Sequence, residues 1–331
     1  VTGGCATTGK ATAKMRARYM ALRSYAPGLA LVRYAASQMK AIVWTALLCA
    51  VSAHAATFDV RAFGAKGDGK TLDRNSINRA VEAAASAGGG TVAFPAGTYL
   101  TGSIRLRSNI TLQIDAGAVI EASPDASAYD PAEPNEHTRF QDFGHSHWHN
   151  SLIWGEGLEN VSIVGVGLIS GAKGLTRGER GQDKAIALKL CRNVTLRDFS
   201  VLSGGHFAIL ATGVDNLTID NLRIDTNRDA IDIDSCRNVR ISNVSANTPN
   251  DDAIVLKTSF ALGVFRPTEH VTITNCLVSG YDIGSLLDGT FRRTVTRAPD
   301  RDGPTGRIKL GTESNGDFRN ITISNIVFDR S

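Results

Sequence analysis

The chain is predicted to fold as an all-β protein, a right-handed parallel β-helix with an N-terminal capping helix. Three observations point there. An Asn followed by alternating apolar residues recurs along the chain. A second apolar phrase recurs between its copies, and both advance by 22–23 residues at their tightest. The composition agrees, with 33 glycines and 6% aromatics, which favours strands joined by many turns.

The first phrase appears as Asn109-Ile110-Thr111-Leu112, Asn160-Val161-Ser162-Ile163, Asn193-Val194-Thr195-Leu196, Asn216-Leu217-Thr218-Ile219 and Asn238-Val239-Arg240-Ile241. It returns as His270-Val271-Thr272-Ile273 and Asn320-Ile321-Thr322-Ile323. The second runs through Ile186, Ile209, Ile231, Ile254, Leu286 and Ile308. Alternation places every other side chain inside a coil, and each coil buries its edge on the next. The leading Asn suits a turn where stacked amides pair. A leucine-rich horseshoe would need helix-like segments, and a Rossmann-type sheet would need long helices between strands. Neither is present in these gaps.

Taken in order, residues 1–38 have the composition of translated upstream sequence, not of a native domain. Residues 39–55 have a signal peptide's three parts: Met39-Lys40, an apolar run from Ala41 to Val51, and Ala53-His54-Ala55 as a cleavage site. Cleavage is expected after Ala55. The run is too short to span a bilayer, so the mature protein is expected to be secreted or periplasmic, with no membrane anchor. Residues 56–105 form the N-terminal strand and helix cap. Within them Ile77, Ala80, Val81 and Ala84 sit at helical spacing and Gly88-Gly89-Gly90 ends the helix. Its expected place is over the open N-terminal end of the stack, where bare strand edges invite aggregation. Residues 106–331 are the β-helix proper; the chain stops just after a repeat with no cap in view, so the domain reads as truncated there.

The formal charge of +4 is deceptive. Residues 1–55 carry seven of the 36 basic side chains and no Asp or Glu, leaving 29 basic against 32 acidic from residue 56 on. No global field attracts nucleic acid, so attraction for an anionic partner must be local. Beyond the leader, Cys191, Cys236 and Cys276 are odd in number and lack metal-type spacing. Cys191 and Cys236 each precede a repeat's Val by three residues and stand two coils apart, roughly 9.6 Å, too far for a disulfide. Free buried thiols are expected.

One stretch carries the chemistry. Asp229-Ala230-Ile231 and Asp252-Ala253-Ile254 say the same thing 23 residues apart. One coil would place Asp229 beneath Asp252, with Asp251 beside them. Carboxylates that close raise one another's pKa, which suits an acid/base centre. Aligning the coils puts Gly284 in the next, Arg307 and Lys309 flanking Ile308 in the one after, and His206 one coil before Arg228. Fixed cations near such a centre suit a substrate bearing carboxylates, Arg by bidentate pairing. Two carboxyl functions across a sugar are what glycoside hydrolysis needs. His145, His147 and His149 would share one face of a strand but lack partners for a metal site, so the segment reads as a substrate-lining or structural loop, with Trp148 as a sugar platform. Tyr281 is a candidate site neighbour by position alone.

Asn227-Arg228-Asp229, Asp251-Asp252 and Arg307-Ile308-Lys309 on such a coil resemble glycoside hydrolase family 28, the polygalacturonases and their rhamnogalacturonan-degrading relatives. The opening Phe58-to-Gly69 segment resembles the N-terminal cap of pectin-degrading β-helix proteins. The resemblance implies inverting hydrolysis of α-linked galacturonate glycosides of pectin by a monomer without cofactor or metal. It implies Asp251 as general acid, Asp229 and Asp252 activating water, and Arg307 and Lys309 on a substrate carboxylate; position beside them makes Asn227, Arg228, His206 and Trp148 the expected further substrate contacts. Two departures stand out: Arg228 replaces the family's Thr, and no Gly-His-Gly follows Asp252. The insertion at 258–269 and the loop at 290–303 would wall off one end of the cleft and favour exo-action. The alternatives on the same architecture are a calcium-dependent pectate-lyase-like enzyme, with the three Asp as ligands and Arg307 as base, and a non-catalytic carbohydrate-binding β-helix.

Overall fold

A computed structural model describes residues 56–176, 181–294 and 306–329. The proposed leader, residues 1–55, and much of the loop at 290–303 lie outside the described residues. From Ala56 on, the chain winds as a right-handed parallel β-helix with three strand faces. The first face holds β1 (Thr57–Asp59), β3 (Gly90–Phe94), β6 (Ile110–Ile114), β9 (Glu159–Val164), β12 (Arg192–Arg197), β15 (Asp215–Asp220) and β18 (Arg237–Ser242). The second holds β2 (Asp68–Leu72), β4 (Gly97–Thr101), β7 (Ala118–Ala122), β10 (Leu168–Ser170), β13 (Ser200–Leu202), β16 (Arg223–Asp225) and β19 (Ser245–Asn247). These two faces form one bent sheet, joined through the long strand β21 (Thr268–Ser279), on which β23 (Phe318–Asp329) is stacked. The third face is a seven-stranded sheet of β5 (Ile104–Arg105), β8 (Ser151–Glu156), β11 (Lys184–Lys189), β14 (Phe207–Thr212), β17 (Asp229–Asp234), β20 (Ile254–Thr258) and β22 (Ile308–Ser314).

All strand pairs are parallel, and the two sequence phrases set the register. Val161, Val194, Leu217, Val239, Val271 and Ile321 stack on the first face. Ile153, Ile186, Ile209, Ile231, Ile254 and Ile308 stack on the third. Every one of these except the last coil's Ile308 and Ile321 is buried. At about 1.5–3 kcal/mol per buried aliphatic side chain, these columns supply the main drive for coiling. One expectation fails here. Gly284–Leu287 forms no coil, and β20 pairs directly with β22 (Ile254 beside Ile308). The 281–294 segment instead leaves the stack as an excursion, pinned where the Leu286 N–H donates to Asp225 Oδ2 at 2.9 Å. Arg307 and Lys309 are therefore one coil nearer to Asp252 than the repeat count implies.

The leading asparagines form the expected ladder. Each Nδ2 donates to the Oδ1 one coil earlier, from Asn160 to Asn109, Asn193 to Asn160, Asn216 to Asn193 and Asn238 to Asn216, at 2.8–2.9 Å. Each of these backbones is left-handed, with φ between 54° and 63°, a conformation Asn tolerates better than other side chains. Replacing Asn216 with Ala removes two ladder bonds and keeps the unfavourable φ. A loss of about 1–2 kcal/mol is expected in denaturant unfolding, part of it regained in Asn216→Gly.

The helix α1 (Arg74–Ser86) buries Ile77, Ala80, Val81 and Ala84 against the first coil. Asp73 does not cap it, because its carboxylate accepts from the Lys66 and Gly67 N–H groups at 2.7 and 2.9 Å. The helix ends into Gly88–Gly90; a Cβ on Gly89, at φ 131°, would meet the Asn109 carbonyl at 2.6 Å. Cys191, Cys236 and Cys276 are free and buried, and burial first of all pushes the Cys236 thiol up to about 12.

Candidate active site

On most of the third face the outward side of the sheet is covered, not open. An excursion between β7 and β8 lies over it, so every residue of β14 and β17 is buried. Trp148 is central to that cover. It is fully buried among Ala187, Phe207, Leu210 and Ala261, its Nε1 donates to Thr212 Oγ1 at 3.1 Å, and the Lys189 ammonium lies 4.4 Å from its ring centroid. With no exposed face it serves packing, which corrects its assignment as a sugar platform.

The three histidines beside it share no strand face, because residues 144–146 form a tight 3-10 turn. His147 stacks on Phe143 and His149 on Trp154, each at 3.9 Å between ring centroids. His145 alone turns into the sheet.

The cover stops at a pocket of about 170 Å³ lined by Asp142, His145, His206, Arg228, Asp229, Asp251, Asp252, Lys257, Lys309, Thr312 and Glu313. That is below the roughly 300–1,000 Å³ of sites that enclose a whole small ligand, so it admits the reacting end of a larger one. Coil stacking builds its floor: Asp229 opens β17, and Asp252 sits one coil on, its N–H donating to Asp229 Oδ1 at 3.3 Å. Oxygens of Asp229, Asp251 and Asp252 lie within 4.8 Å of one another. Cations of the chain sit on two of them. Arg307 Nε is 2.7 Å and Lys309 Nζ 3.1 Å from Asp252, and Arg228 is 2.9 Å from Asp251. These side chains supply the positive charge a divalent ion would bring to such a cluster.

The electrostatics separate the three acids. Burial, then the charges of Asp232 and Asp251, push Asp229 well above the usual carboxylate range. Burial also raises Asp252, against the pull of Lys309 and Arg307. Asp251 has the most open side chain, at 15% exposed against 2% for Asp252.

Of the other residues expected here, His206 lines the pocket with Arg228 in register above it. Burial and then the Arg228 charge pull its imidazole down to about 3, so it is neutral; its Nδ1 has no hydrogen-bond partner. Asn227 is buried outside the pocket's lining and accepts from Asn250 Nδ2 in the next coil. Tyr281 is buried and bonded to Asp329.

Four pocket residues escaped the sequence reading, Asp142, Lys257, Thr312 and Glu313, while His145 belongs to the segment expected to line substrate or serve structure. Lys257 bonds Glu313 at 2.6 Å and lies 3.6 Å from Asp232. Lys257 gave one signal, a cation in register with Asp234 of the preceding coil; its neighbour Asp232 gave another, a charge stacked between Leu210 and Val255.

Fold and floor together define a right-handed parallel β-helix with an acid cluster at the mouth of its third face. The family model "Rhamnogalacturonase A/epimerase, pectate lyase-like" matches residues 57–199. The chain is also similar to polygalacturonases, as the three motifs suggested. A "probable polygalacturonase" of Vitis vinifera is 29% identical over 314 residues, covering 86% of this chain and 62% of the relative. Among solved structures, the hyperthermoactive exopolygalacturonase of Thermotoga maritima superposes with a TM-score of 0.65 at 21% identity, covering 82% of this chain and 66% of that one. The family 28 exopolygalacturonase of Yersinia enterocolitica gives 0.61 at 19%, covering 84% and 66%. The chain thus spans under two-thirds of the length of its Vitis relative. Among the described residues no helix is long and apolar enough to cross a membrane.

Proposed function

We propose that the protein is a secreted or periplasmic inverting glycoside hydrolase that cleaves α-linked galacturonate glycosides of pectin, polygalacturonan or rhamnogalacturonan. The observation that carries the reading is the carboxylate trio with Arg307 and Lys309 beside it, in a pocket sized for one end of a polymer. The similarity to polygalacturonases supports the same substrate class.

In this reading Asp251, on the open side, is the general acid, and Asp229 with Asp252 activates water. At rest the cluster's proton is favoured on Asp229, and the Arg228 guanidinium lies 2.9 Å from Asp251. A substrate carboxylate that draws Arg228 away removes this counter-charge from beside Asp251. The proton then passes to Asp251, which delivers it to the glycosidic oxygen, and Asp229 is left as the base that takes a proton from the attacking water. His206 offers a neutral hydrogen-bonding group to a sugar hydroxyl. The three acids are closer than the roughly 6.5–9.5 Å usual between carboxyl groups of inverting enzymes. The water must therefore enter beside Asp229 and Asp252, not in a wide gap between two walls. The insertion at 258–269, whose Phe260 and Ala261 meet His137, Phe140 and Asn135 of the cover, walls off one end of the cleft in this reading and favours exo-action.

Incubation with polygalacturonan and rhamnogalacturonan tests this. New reducing ends without ultraviolet absorbance, persisting with a chelator, are expected. The first-formed sugar should be the β anomer by proton NMR; an initial α anomer would remove inversion, and mostly mid-length oligomers would remove exo-action. Calcium-dependent products absorbing in the ultraviolet would favour a lyase, the second reading that the pectate-lyase-like family match keeps open.

A further inference from the structure

Behind the acid trio lies a second charged row that the proposed chemistry does not use. His145 is 2% exposed. Its Nδ1 is 2.7 Å from Asp142 Oδ1 and its Nε2 is 3.3 Å from Asp232 Oδ1. Two carboxylates on one imidazole need two N–H donors, so the ring is the imidazolium. Asp232 is fully buried, its other oxygen has no hydrogen-bond partner, and Lys257 stands 3.6 Å away. Asp232 lies three residues along β17 from Asp229.

We propose that the His145–Asp232 pair is a positioning device for the acid centre: the imidazolium neutralises Asp232 and thereby sets the charge that Asp229 meets. The proposal rests on the hydrolase reading only for its catalytic consequence; the charge effect on Asp229 stands apart from any activity.

The groups facing His145 are Asp142 on its own loop, Asp232 and Asp234 on β17, Lys257 on β20, Glu313 on β22, and His206 ahead of β14. Burial and the Lys257 charge work against protonation of His145. The bonds to Asp142 and Asp232 outweigh them and lift it to about 9. Among the charges around Asp229, that of Asp232 is the strongest influence pushing it up. An Asp232 without its imidazolium would hold the proton on Asp229 to higher pH, and Asp229 would fail as a base across that range.

Two variants shift Asp229 in opposite directions, which a merely structural role does not do. The readout is the Asp229 side-chain carboxyl ¹³C resonance, identified by its loss in Asp229→Asn, titrated in each full-length protein alongside a thermal melt. In His145→Gln the titration should move up by about one pH unit, and the acid limb of the kcat/KM profile should move with it. In Asp232→Asn it should move down. An unmoved titration in a His145→Gln protein that melts cooperatively would overturn the proposal. If His145→Gln does not fold, Asp232→Asn decides alone, with an unmoved or raised titration counting against. Wild-type protein inactive on every pectic substrate would sink the hydrolase reading while leaving this test intact.

Discussion

Asp251→Asn is expected to lower the rate of polygalacturonan hydrolysis by about 10²–10⁴-fold while substrate binding persists. Asn matches Asp in size but has no proton to give the leaving oxygen. Asp251 is the most open member of the trio and its partner Arg228 is itself one-third exposed, so the fold should barely notice. Melting should shift by no more than the effect of an ordinary surface change, about 0.5 kcal/mol. Asp252→Asn should behave differently, because it strips the counter-charge from Arg307 and Lys309 and so weakens the fold as well as the rate. Initial rates of reducing-end release, paired with melts of both variants, check the contrast. Undiminished turnover in Asp251→Asn would make this residue a bystander and place the proton donor elsewhere.

Lys184→Met is expected to cost about 3–5 kcal/mol of stability, the usual penalty for orphaning one half of a buried pair. Lys184 and Asp183 are both fully buried and in direct contact, with the ammonium 6.0 Å from the Phe207 ring centroid. Burial chiefly, countered by Lys184, brings the Asp183 carboxyl up to about 6. Because that lies above the ordinary 3.8, the folded state holds the proton more tightly than the unfolded chain. The pair's contribution is therefore most favourable below pH 4 and declines as pH rises towards 6. Without Lys184 the carboxyl should titrate higher still and extend the decline. Urea unfolding of Lys184→Met and of Lys184→Met/Asp183→Asn at pH 4 and pH 7 checks it. The double variant should recover most of the loss at pH 7, having no buried charge left, and a single variant as stable as wild type would mean the pair contributes nothing.

What could be read from the sequence was whatever repeats. The Asn ladder, the isoleucine columns and the 23-residue step that brings Asp229 under Asp252 each leave a period, because every coil must present the same side chain to the next. The excursion between β7 and β8 leaves none. Its residues are held singly by whatever they touch, so Trp148 looked like a surface platform and His145 like one of three equivalent histidines. The Gly284–Leu287 segment failed for the opposite reason: an apolar pair at a plausible interval imitated a coil that the chain does not make. Lys257 and Glu313 were missed because their meaning lies in partners 25 and 168 residues away, Asp232 and His145.

That same excursion alters how the stack can come apart. A plain coil touches only the one before and the one after, and can fray from either end. Here Asn150 reaches Asp183 beside β11, Trp148 reaches Thr212 on β14, His145 reaches Asp232 on β17, and Asn135 reaches the Ala261 carbonyl beyond β20. One segment lashes four consecutive windings together crosswise, so the windings that carry the acids should melt as a block, and a polymer's tug on any one of them is shared by all four.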